Sequence, residues 1–366
     1  MLKRKATALT ACLLIAVLAL AACGDGNGNG SPAAAGGSTQ EIRQLLADCN
    51  TRPALGTFDD NVRFDDVNLV DMRFELVSLV FRLTGHGRFA TRATMYQHSL
   101  HNTFGDFADH PAAEFASGLP VMPDAMSFSQ ILGLAAHLHY DNGGFTLLDD
   151  LSGLHFERDG SLWTHESVIE LVYLLNHFYS DTEFAAFFAE NMDVYMTQSE
   201  RSLRLAFRPL RFDWFEVRGV RRDNMRMVAA PSTLYSNAIH ITDNGEHVVY
   251  IIISELRAGE AWDSFWPFML GNLIMPVQER VADELLAHNP EFYTLISDLA
   301  SEFGWATRDF ALNSVAAALM TLYRIDTEPN IDITPELNTH SNMWLGMTPD
   351  GMEDVLRMVI AHECNC

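Results

Sequence analysis

Lysine is absent after Lys5, so every later basic side chain is an arginine. Basic charge is scarce altogether: past residue 22, 21 arginines face 48 acidic residues, a net charge of −27. A body this acidic repels a phosphate backbone, which argues against nucleic acid as a partner. No apolar run beyond the first 22 residues reaches membrane-spanning length. The chain has no Gly-x-Ser-x-Gly elbow and no glycine-rich phosphate loop, so serine-hydrolase and nucleotide-binding signatures are missing. Cysteine is sparse at five residues, too few for a disulfide scaffold, and no internal repeat is evident. What remains is ample core material: 48% hydrophobic residues, with 23 Phe, 16 Met and 6 Trp.

The N-terminus carries the sharpest pattern. Lys3, Arg4 and Lys5 precede an apolar stretch, Ala6 to Ala22, that is too short and too small-residued for a spanning helix. Leu20-Ala21-Ala22-Cys23 then matches the lipobox of bacterial lipoproteins, which predicts a signal peptide over residues 1–22 and lipid attachment at Cys23. Gly24 follows the cysteine, which favours the outer membrane. Residues 23–39 are rich in glycine and hold nothing large enough to bury, so they read as a flexible lipidated tether. Asp25 to Gly30 imitates the opening of a calcium loop, but Gly36 stands where that loop needs a bidentate acid.

With Cys23 lipidated, Cys49, Cys364 and Cys366 remain for pairing. Export favours a disulfide, and Cys49 bridged to Cys364 or to Cys366 would tie the two ends of the domain together.

Periodicity divides residues 40–366 into a helical half over 40–200, a sheet region over 201–255 and a second helical half over 260–366. Helical spacing marks 40–48, 72–83, 91–107, 127–139, 163–179 and 182–195, then 262–287, 291–303, 308–323 and 349–363. Between them Leu203–Arg208 alternates, Met225–Thr233 is strand-like, and His247–Ser254 is a β-branched run after the turn Asp243-Asn244-Gly245. The expected fold is α+β: a mostly helical single domain whose small mixed sheet of three or four strands lies between helical lobes.

Several strings suggest a family. Arg73 to Leu83, His110-Pro111, Leu174 to Tyr179, and Asp181 to Phe184 with Phe187-Phe188 resemble secreted bacterial proteins catalogued as a domain of unknown function, whose members look like zincin metallopeptidases. The resemblance covers most of the mature chain and implies a zincin-like fold. It also implies a helix bearing two zinc-binding histidines one turn apart, with a glutamate between them to activate water. In the matching stretch, Phe265 to Pro276, Pro267 and Gly271 occupy the histidine positions and Phe268 that of the glutamate. The downstream acidic position corresponds to Leu312. None of these side chains offers a donor atom, so the resemblance implies a degenerate peptidase site with no catalytic residue and no cofactor.

Other constellations are weaker. His165-Glu166 follows Thr164, and a Ser/Thr before an acid at a helix start reads as capping. His362-Glu363 with Cys366 makes a His-Glu-x-x-Cys pattern, the remaining candidate for zinc, although a disulfide competes for the cysteine. His137 and His139, near Asp141, read as surface or supporting residues. The aromatics Phe212, Trp214, Phe215, Trp262, Phe265, Trp266 and Phe268 read as core before cleft. The sequence therefore leads to a lipid-anchored envelope protein that binds a protein, peptide or glycan. An active zinc hydrolase with an unrecognised site, and a purely structural envelope component, are the alternatives.

Overall fold

The structure, a computed structural model, describes residues 35–49 and, with gaps, residues 70–365. The expected signal peptide, Cys23, most of the expected tether, the alternating segment Leu203–Arg208 and Cys366 lie outside the described residues. Helices predominate and two small sheets accompany them, an α+β architecture. Its contacts divide the chain into two compact units.

One unit comprises residues 59–210 and 222–262. Its central helix is α2, Met72–Leu83, preceded by α1 of the other unit; Asp71 caps it by accepting from the Arg73 amide at 3.0 Å. Residues 74–82 are buried without interruption, so α2 has no solvent face. Each of Phe74, Leu76, Val77, Leu79, Val80 and Phe81 contributes about 1.5–3 kcal/mol by leaving water. Around it lie α3 (Met95–Phe104), α4 (Pro111–Ser117), α5 (Ala125–Ala136), α6 (His165–Asp181), α7 (Phe184–Glu190) and α8 (Met192–Ser202). In the main sheet β3 (Met225–Ala229) runs parallel to β5 (Glu246–Ile253), and β4 (Asn237–Asp243) pairs antiparallel on the other side of β5. Ile239, Ile241, Val248, Tyr250 and Ile252 alternate onto the face that joins the helical core. From Val248 onward β5 is buried on both faces, as a middle strand should be.

The other unit comprises residues up to 58, 211–221 and 263–366. Its described helices are α1 (Ala35–Ala47), α9 (Phe212–Glu216), α10 (Trp262–His288), α11 (Pro290–Phe303), α12 (Thr307–Thr327) and α13 (Pro349–Asn365). Asn289 caps α11 with Pro290 in its first turn, and Gly304, at φ 71°, ends it in the left-handed conformation that glycine adopts without steric cost. Helix α12 lies between α11 and α13 and buries Phe310, Val315, Leu319 and Leu322. Cys49, just past α1, is disulfide-bonded to Cys364 in the last turn of α13. Arg357 of α13 also pairs with Glu41 of α1 at 2.8 Å.

Three local expectations need correction. The helix expected over 127–139 stops at Ala136, and Leu138–Asp141 (β1) and Gly144–Leu147 (β2) form an antiparallel hairpin inside the half read as helical. Its turn, Asn142-Gly143, has φ 50° and 82°, the same left-handed pair as Asn244-Gly245 in the β4–β5 hairpin. The helix expected over 182–195 is two helices, because Glu183 (φ 50°) and Asn191 interrupt the path. Finally, α1 begins at Ala35, inside the stretch assigned to the tether. Extending an existing helix backward costs far less than nucleating one, so Gly36 and Gly37 are carried by the turns after them.

Candidate functional site

Helix α2 carries one carboxylate in its enclosed apolar run, and the structure closes around it. Glu75 accepts from the Tyr96 hydroxyl of α3 at 2.7 Å, and from both the amide and the hydroxyl of Ser232, at 3.2 and 2.9 Å. The Tyr96 hydroxyl also shares a short hydrogen bond with that of Tyr195 on α8. Ser232 belongs to the loop that leaves the C-terminal end of β3. Arg82, two turns along α2, donates to the Ser232 carbonyl, and Gln97 of α3 donates to the carbonyls of Pro231 at 3.1 Å and Thr233 at 3.4 Å. Glu75, Arg82, Gln97, Ser232 and Thr233 are all buried.

Burial dominates the electrostatics. It pushes the Glu75 carboxyl up to about 7, against the hydrogen bonds from Tyr96 and Ser232 and the charge of Arg82, which favour the ionised form. Burial and the neighbouring carboxylate likewise raise the Tyr96 and Tyr195 phenols. The hydrogen bonds of Glu75, Arg82 and Gln97 hold the loop after β3 against α2 and α3. Ser78, one turn from Glu75, has a buried hydroxyl without a hydrogen-bond partner among the described residues.

A second polar feature surrounds His137, which follows α5. Its Nδ1 bonds the Gly133 carbonyl at 2.7 Å, while its Nε2 is enclosed without a hydrogen-bond partner among the described residues. Burial keeps this ring below the usual histidine range. Gly153 accommodates it: a Cβ there would stand 2.9 Å from the imidazole. His137 is therefore a buried residue and not a surface one, whereas His139 is exposed on β1.

The residues singled out from sequence do not form one constellation. Pro267 and Phe268 lie on α10, where the description of side chains begins only at Leu270. Gly271 is on the same helix with open space where a Cβ would be, and Leu312 is half-buried on α12. His362 pairs with Glu284 of α10 at 3.0 Å, and the adjacent Glu363 pairs with Arg218 at 2.7 Å. That guanidinium also lies 3.8 Å over the Trp214 ring. Cys364 is in the disulfide, and Cys366 lies outside the described residues. Thr164 caps α6 in a reciprocal box with Ser167, and His165 stacks on Phe156. Phe212, Trp214 and Phe215 are buried, with the Trp214 indole donating to Asp326 at 2.7 Å. Among the described residues, no group of three or more His, Cys, Asp or Glu side chains is placed to hold a metal ion.

The Glu75 cluster was missed because its partners come from residues 75, 82, 96, 97, 195 and 232, spacings that no motif spans. The available signal was a carboxylate and an arginine two turns apart within the helix Met72–Leu83, where Arg73 and Ser78 are the only other polar residues. Comparisons with protein families, curated proteins and solved structures found no match for this chain.

Proposed function

We propose that this protein is a lipid-anchored component of the bacterial cell envelope, sited at the outer membrane, whose zincin-like domain has lost its metal site and works by binding a protein, peptide or glycan. The observation that carries the reading is the set Pro267, Phe268, Gly271 and Leu312, which puts no donor atom at the positions where zincin-like relatives bind and use zinc. The order of helices, mixed sheet and long following helix is compatible with that ancestry. Ile169 and Tyr173 add support for binding: one turn apart on α6, they are 62% and 63% exposed beside Glu166 and Glu170, a surface that a partner would cover.

Metal analysis of the purified soluble domain after dialysis tests the loss of the site. Substoichiometric zinc is the expected result, and one tightly held zinc per chain would overturn it. Labelling with radioactive palmitate tests the anchor, with the label and membrane association expected to vanish in Cys23→Ala.

A further inference from the structure

Strands β4 and β5 bring two histidines together on the face opposite the helical core. His240 pairs with Val249 and Thr242 with His247 across the antiparallel ladder, so His240 and His247 are diagonal neighbours on one face. Nδ1 of His240 and Nε2 of His247 stand 3.2 Å apart, with the ring planes within 18° of parallel. Two nitrogens on one ion at metal–nitrogen distances of about 2.0–2.1 Å are separated by about 3.3 Å in a tetrahedral site and about 2.9 Å in a square-planar one. The observed spacing falls between those values.

A second observation concerns the other nitrogen of the inner ring. Nε2 of His240 is enclosed and has no hydrogen-bond partner among the described residues, so the polar contact of this ring runs through the nitrogen that faces His247. His247 is the exposed member of the pair. We propose that His240 and His247 form a two-imidazole site for a divalent transition-metal ion, copper(II) foremost, with water completing the coordination.

Copper stands first because imidazole suits it and because it heads the affinity order of the divalent first-row metals. With His247 as the donor in the metal-free pair, ligation needs only that its proton move from Nε2 to Nδ1. Both rings then bind as neutral imidazoles and no net proton is released. With two protein ligands the ion exchanges readily, which separates this site from the dialysis-resistant zinc of an active zincin.

The test is titration of the dialysed, untagged mature chain with copper(II) at neutral pH, followed by electron paramagnetic resonance. One copper per chain with two nitrogen ligands is expected. His247→Gln should weaken it at least about tenfold, while the exposed control His177→Gln leaves it unchanged. Absence of binding below millimolar copper, fewer than two nitrogens in the wild-type spectrum, or wild-type affinity in His247→Gln would each overturn the site. The nitrogen count is read on the wild-type chain and so does not depend on how either variant folds.

Discussion

Glu75 is a fully buried carboxylate whose burial bears on stability. Its folded-state value near 7 lies above its value in an unfolded chain, so the folded protein holds a proton that the unfolded one releases between about pH 4.5 and 7. Its contribution to stability is therefore complete below pH 4.5 and is lost as the pH rises through 7. The span corresponds to a change on the order of 3 kcal/mol. Denaturant titrations at pH 5 and pH 8 check this: the wild type should lose more stability across the interval than Glu75→Gln, whose neutral amide resembles the protonated acid. Equal losses in the two proteins would show that Glu75 does not titrate in this range. The residue is plain in the sequence, but its enclosure is not, because the Tyr96, Tyr195 and Ser232 hydroxyls that replace water reach it only through tertiary folding.

At the scale of elements, most helices were legible from apolar periodicity and caps. The spacing of Met72–Leu83 gave both ends of α2, and Thr164 marked the start of α6. Reading failed where two signals overlapped. The apolar run of α5 continues into Leu138, and a helical period conceals the change to alternation when the strand has only four residues. Asn142-Gly143 marked the hairpin as clearly as Asn244-Gly245 did, but it lay inside a region read as helical. Gly143 at φ 82° predicts that Gly143→Ala lowers stability by about 1–2 kcal/mol, since a Cβ there meets the backbone in the left-handed region. Thermal unfolding monitored by circular dichroism measures the loss. His110 and Pro111, which begin α4, carried cap and first-turn signals too, but a helix of seven residues spans too few turns to show a period.

Over the whole chain, the Cys49–Cys364 bridge joins positions 315 residues apart. Closing so long a loop restricts the unfolded chain far more than the folded one, so Cys49→Ala should lower stability by about 2–4 kcal/mol. The difference should disappear when both proteins are compared under reducing conditions; a difference that persists would assign the effect to packing at Cys49. Charge, the order of helices and strands and hence the α+β class were determined by the sequence alone, because each depends on residue identity or on spacings of a few residues. Only the tertiary structure decided that Cys364 is the partner of Cys49, that Glu75 is sealed among hydroxyls, and that His240 meets His247. Those outcomes depend on which distant segments share a low-dielectric interior or a strand register, and chain order does not record that.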